Sequence, residues 1–177
     1  MNLYLDLDGV LCDFLAGLDS AGGVDQFFHG GGWGEETVDY DELYSFFANL
    51  EWIHGGRQVW RTASALFSNI YVLSSAGAAD DESYEAIRKG KEEWVKKNLK
   101  TIPDDRILVT FGPEDKIEYA NRNSVLVDDM LYNIDPWIRA GGRGILHHSD
   151  HYQITLRELE DLAIPSKLTE IVKGFSR

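Results

Sequence analysis

The stretch NLYLDLDGVLCDF, residues Asn2 to Phe14, sets a short apolar run, Leu3-Tyr4-Leu5, directly against two acids, Asp6 and Asp8, with Gly9 behind them and Asp13 close by. A run of this length, apolar throughout, suits a strand covered on both faces. Two carboxylates at the end of a buried strand repel one another and lose hydration, so a compensating cation is expected beside them. Gly9 lets the chain turn sharply where a side chain would obstruct a bound anion.

Four more runs have the same character: Ile70 to Leu73, Ile107 to Val109, Val125 to Val127 and Gly144 to Leu146. Helical patterns lie between them, at residues 55–69, 81–99, 113–123, 130–142 and 149–163. Gly90 is expected to bend or split the second of these, and Pro136 to interrupt the fourth. Strand and helix in alternation imply an α/β fold, a Rossmann-like doubly wound parallel sheet.

About forty residues separate the first strand from the helix near Gly55, too many for an ordinary strand-to-helix connection. They carry the glycine clusters Gly22-Gly23 and Gly30-Gly31-Gly32, the aromatics Phe27, Phe28, Trp33 and, at their end, Trp52, and a helical pattern, DYDELYSFFANL, capped by Asp39. This gives a catalytic core of residues 1–15 and 51–177 with a small cap inserted at 16–50, over the sheet edge where α/β folds bind ligands. The aromatics either stack on a ligand's ring or form the insertion's own small core.

The 177 residues carry a formal net charge of −13. That balance disfavours a nucleic-acid polymer or an anionic membrane as partner and leaves room for a small phosphorylated substrate if the site holds its own cation. The one cysteine, Cys12, cannot form an intrachain disulfide and reads as a buried apolar residue, and no run approaches membrane-spanning length. The expected location is cytoplasmic. The sequence leaves a homodimer open.

Parallel strands end on one edge, so the polar residues at the strand ends converge. They are Asp6 and Asp8 after the first strand, Ser74-Ser75 after the second, Lys116 beyond the third, and Asp128-Asp129 after the fourth. Carboxylates from two strands, a hydroxyl and an ammonium facing one crevice form a site for Mg²⁺ and a phosphate. A hard cation takes carboxylates, water and phosphate oxygens, and it holds the clustered acids ionised.

In order, DLDGV, VLSS, a lysine ahead of the fourth strand and VLVDD resemble the four motifs of the haloacid dehalogenase (HAD) superfamily. DLDGVLCDF, KEEWVKKNL, DDRILVT, VLVDD and WIRAGGRGILHH together resemble its 5'(3')-deoxyribonucleotidase branch. The resemblance implies that Asp6 is a nucleophile forming an aspartyl-phosphate and that Asp8 is the acid and base, its carbonyl also on the metal. It implies that Ser74 and Ser75 contact the phosphoryl group, that Lys116 neutralises it, and that Asp6, Asp8, Asp128 and Asp129 hold Mg²⁺. Phe14 and Lys91 match positions lining the branch's substrate pocket, and Lys91 also competes with Lys116 for the phosphate. An acid at Asp8 fits phosphate transfer, whereas dehalogenation needs none there. The branch has threonine-serine-proline where this chain has Ser74-Ser75-Ala76.

The activity implied is a Mg²⁺-dependent phosphatase for small monoesters, a 5'(3')-deoxyribonucleotidase in particular. A phosphatase for another metabolite, such as a sugar phosphate, is the alternative. A receiver-like or phosphate-binding module represents a different class, but a receiver's phosphorylated acid lies on the third strand, which here ends Val109-Thr110-Phe111. The cluster His147-His148, Asp150 and His151 is a poor zinc site, since adjacent histidines on a strand point to opposite faces.

Overall fold

The computed structural model describes residues 1–21 and 39–174, with side chains as far as residue 164. Five strands, β1 (Asn2–Leu5), β2 (Ile70–Ser75), β3 (Ile107–Thr110), β4 (Ser124–Asp128) and β5 (Arg143–Leu146), form one parallel sheet in the order β3-β2-β1-β4-β5. The helices are α1 (Phe14–Ser20), α2 (Tyr40–Ala48), α3 (Gly56–Leu66), α4 (Asp81–Asn98), α5 (Leu131–Arg139) and α6 (Tyr152–Gly174). This is the doubly wound α/β architecture expected from the sequence.

Period-two alternation explains why the strands are apolar throughout. Leu3, Leu5, Val72, Val125 and Val127 face one buried cluster with Val59, Ile87, Trp94 and Leu159 from α3, α4 and α6. Tyr4, Leu73 and Leu126 face the other, closed by Ile134 and Trp137 of α5. The order of strands reverses about β1, so the crevice at its carboxyl end lies between neighbours whose connections leave in opposite directions.

Three local expectations change. Helix α4 runs unbroken through Gly90, because a Cβ there would lie 2.6 Å from the Tyr44 carbonyl of α2; the glycine serves a close helix crossing. Pro136 lies inside an uninterrupted α5. The segment after β3 is a 3₁₀ helix, Pro113–Tyr119, shorter than expected.

Residues 22–38, with both glycine clusters and Phe27, Phe28 and Trp33, lie outside the described residues. From the rest of the proposed cap, Leu43 and Phe47 of α2 pack into the main apolar cluster with Leu50. Trp52 packs on Trp94, ring centroids 5.0 Å apart, and its Nε1 donates to Asn98 Oδ1 at 3.0 Å. Its half-buried ring thus packs on the protein itself, with the Arg57 guanidinium 4.9 Å from its centre.

Candidate active site

The end of β1 is tied to β4 by the Asp6 amide, which donates to the Val127 carbonyl at 3.0 Å. This register brings Asp6 beside Asp128. Beyond Asp6 the chain folds into a tight turn in which the amides of Leu11 and Cys12 both donate to the Leu7 carbonyl. Gly9 adopts φ +74°, and a Cβ on it would lie 2.2 Å from Asp129 Oδ2. The glycine therefore makes room for an acid from the neighbouring strand.

Lys116 reaches this crevice from the 3₁₀ helix after β3. That helix starts on Pro113 and is held by the Gly112 amide donating to Asp115 Oδ2 at 3.0 Å. The Lys116 ammonium, almost wholly buried, donates to Asp6 Oδ2 and Asp128 Oδ2, both at 2.8 Å. A second buried ammonium, Lys91 of α4, donates to Asp8 Oδ2 at 2.6 Å, Ser74 Oγ at 2.9 Å and the Ser75 carbonyl at 2.6 Å. The two lysines divide the work: Lys116 serves Asp6 and Asp128, Lys91 serves Asp8 and Ser74. Ser75 joins through its carbonyl.

Carboxylate oxygens of Asp6, Asp128 and Asp129 lie within 4.8 Å of one another, a group of three that could hold a metal ion. Asp8 stands outside this group, its side chain engaged by Lys91 and by the Cys12 thiol, which donates to Oδ1 at 3.4 Å. Burial and the neighbouring Asp8 push the Cys12 thiol well up, which fits an unreactive interior residue.

The charges are unevenly shared. Burial alone would raise the Asp6 carboxyl, but the ammoniums of Lys116 and Lys91 overrule it and hold it below its ordinary value. Burial and the charge on Asp6 push Asp128 up to about 6; burial, Asp6 and Asp128 push Asp129 up to about 7. Burial opposes the charge on Lys116, yet Asp6 and Asp128 keep it above its usual range. Three oxygen donors with more negative charge than the lysines can balance suit a hard divalent cation, so the residues present fit Mg²⁺.

Asn133 was not evident from the sequence. From the first turn of α5, its Nδ2 lies 3.0 Å from both Asp128 oxygens, and the Met130 amide donates to Oδ1 at 2.9 Å. The available signal was its spacing, about one helical turn beyond the second acid of the pair. Phe14, the expected pocket residue, stacks against Phe47 with centroids 5.9 Å apart, and the Lys91 ammonium lies 5.0 Å from the Phe47 ring centre. Asp13 caps α1 through the Ala16 amide. His147 is buried, its Nδ1 2.9 Å from Thr155 Oγ1, which removes it from any exposed histidine cluster.

Fold and site together define an α/β domain with a carboxylate-and-lysine crevice at the carboxyl edge of a parallel sheet. No family model matches the sequence, and no curated protein matches it. Among solved structures it is similar to a HAD family enzyme from Bacteroides thetaiotaomicron, at 14% identity and TM-score 0.46 over 87% of this chain and 97% of that one. The same enzyme as its magnesium complex gives 13% and 0.40, over 84% and 93% of the two chains. The HAD domain of the effector protein Lem4 from Legionella pneumophila gives 13% and 0.39, over 92% and 96%. Likenesses this distant bear on no residue of the site.

Proposed function

We propose that this chain is a Mg²⁺-dependent phosphatase that hydrolyses small phosphate monoesters through a phosphorylated Asp6. The observation that carries the reading is the Lys116 ammonium 2.8 Å from both Asp6 and Asp128, with Asp129 completing the carboxylate group. Asp6, ionised by its lysine neighbours, attacks phosphorus as the ester P–O bond breaks. Asp8 gives its proton to the departing alkoxide. It then takes one from the water whose oxygen displaces Asp6 from phosphorus, returning both acids to their starting states. Lys116, Lys91 and the Ser74 hydroxyl neutralise and orient the phosphoryl oxygens, with Ser75 alongside. Mg²⁺, held by Asp6, Asp128, Asp129 and the Asp8 carbonyl, would supply further charge neutralisation when bound.

The finer reading is a 5'(3')-deoxyribonucleotidase, supported by the resemblance of the motifs and by the ring cluster of Phe14, Phe46 and Phe47 beside Lys91. Residues 16–50 act as the cap that selects the substrate. The net charge of −13 favours small anionic esters over polymers or membranes as partners. Among the described residues no helix is long and apolar enough to cross a membrane.

Phosphate release from deoxyribonucleotides, ribonucleotides and sugar phosphates, with Mg²⁺ and with EDTA, tests both levels. Metal-dependent release that is abolished by Asp6→Asn supports the phosphatase, and preference for deoxynucleotides supports the nucleotidase. Release from sugar phosphates alone removes the nucleotidase. No metal-dependent release from any ester removes the phosphatase.

A further inference from the structure

The chain leaving β4 passes from the acid pair into three exposed apolar residues. Met130, Leu131 and Tyr132 are 42%, 54% and 55% exposed, although they follow directly on the acid pair, of which Asp128 is wholly buried. The Met130 amide and the Asn133 side chain both hold Asp128, so bonds on either side of Tyr132 anchor its stretch of chain next to the acid pair. Ile117, also exposed, follows Lys116 on the 3₁₀ helix, which packs against α5. The Tyr132 hydroxyl is held above its usual range, by partial burial first and then by Asp128, Asp6 and Asp129 acting against Lys116. It therefore lies within electrostatic reach of Lys116, Asp128, Asp6 and Asp129.

Nothing in the packing requires a large exposed aromatic here. The buried face of α5 is already supplied by Asn133, Ile134 and Trp137. Uncharged rings and aliphatic chains beside a phosphoryl pocket offer surface to the rest of an ester and nothing to the phosphate itself.

We propose that Tyr132 is a specificity-determining residue, its ring forming with Met130 and Leu131 the surface on which an aromatic leaving group packs. The preferred substrates are phosphate monoesters carrying a flat apolar group close to the phosphate. This inference rests on the phosphatase reading alone and competes with its nucleotidase refinement, because a deoxynucleotide carries a sugar, not a flat apolar group, next to its phosphate.

Steady-state kinetics on 4-nitrophenyl phosphate and glycerol 3-phosphate with Mg²⁺, for the wild type, Tyr132→Ala and Tyr132→Phe, test it. Tyr132→Ala should raise KM for the aryl ester about tenfold more than for the glycerol ester, with kcat for the aryl ester little altered. Tyr132→Phe, which keeps the ring, should restore most of the difference. Equal changes for both esters, or none for either, would overturn the assignment. Calorimetry of phenylphosphonate binding with Mg²⁺ separates the two levels. Binding weakened by Tyr132→Ala in a protein that releases phosphate from neither ester, nor from any nucleotide or sugar phosphate, would retain this surface and remove the phosphatase reading. Binding indifferent to Tyr132 would remove the surface whatever the activity.

Discussion

Replacing Gly9 by alanine should damage the metal site more than the fold, and the size of both effects follows from the geometry. The new Cβ would stand 2.2 Å from Asp129 Oδ2 and 2.4 Å from its Cγ. An ordinary contact is about 3.5 Å, so the carboxylate must retreat by roughly 1 Å. Metal ligands tolerate about 0.2 Å, and Mg²⁺ holds closely to octahedral geometry, so Asp129 is lost as a direct or water-bridged partner. The expected consequence is at least a tenfold rise in the Mg²⁺ midpoint, about 1.4 kcal/mol. The positive φ of +74° adds about 1–2 kcal/mol of strain to the fold, which is roughly 2–8 °C in Tm for a chain of this size. Gly55→Ala is the control: φ is +80°, but its Cβ would meet Tyr152 at 2.3 Å, with no site carboxylate among its nearest atoms. Thermal melts with and without Mg²⁺ read both quantities, because a bound ion raises Tm by mass action. Gly9→Ala should lose most of the Mg²⁺-induced rise and Gly55→Ala should keep it. A Gly9→Ala protein with the wild-type Mg²⁺ response would refute the argument.

Lys116→Met should destabilise the metal-free protein by about 3 kcal/mol, since it strands two buried carboxylates, and by clearly less in saturating Mg²⁺; urea melts in both conditions measure the difference. Asn133→Ala should weaken Mg²⁺ binding about 10-fold or more by freeing Asp128, while Asn133→Asp should fail to restore it because a carboxylate cannot donate to Asp128; an unchanged Mg²⁺ titration for Asn133→Ala would contradict the role. Burial, and less so His148, press His147 down to about 4, against about 6.5 unfolded, so the unfolded chain binds the extra proton between those values. Its contribution is complete above pH 6.5 and is lost as pH falls towards 4, about 3 kcal/mol in all. Asp128 and Asp129, raised, act with the opposite sign over pH 4–7, so the measurement is the difference between wild type and His147→Gln in urea melts at pH 7 and 4.5.

What could be read from the sequence was whatever depends on the parallel sheet alone. Strands covered on both faces must be apolar throughout, and their carboxyl ends must share an edge; those two facts locate Asp6, Ser74, Lys116 and Asp128 together. Pairings that depend on how far a helix protrudes above that edge were not legible. Lys91 and Lys116 were rivals for one role, and only the placement of α4 and of the 3₁₀ helix assigns Lys91 to Asp8 and Lys116 to Asp6. Gly90 read as a helix breaker because the neighbour requiring it, the Tyr44 carbonyl, lies 46 positions earlier in the chain. Trp52 stayed open between a ligand platform and a place in the insertion's own core, because its partner, Trp94, also lies far away in the chain. Local propensity gives way wherever such a tertiary contact decides.

The arrangement of charges gives the two lysines a second meaning. Among the described residues, Asp6, Asp8, Asp128 and Asp129 are paired with no cations but Lys91 and Lys116, so four potential negative charges meet two positive ones. Burial first, and then that deficit, raise Asp128 and Asp129, so that protons take the place of missing positive charge. A divalent cation closes the balance, whereas a phosphate dianion arriving first would add two charges of the wrong sign. The anion's affinity must therefore depend on the cation, and by linkage the cation's on the anion. Calorimetry with inorganic phosphate should give binding with Mg²⁺ and little without it; equal binding in both would mean that the lysines alone suffice and that the deficit is made up by protons on Asp128 and Asp129.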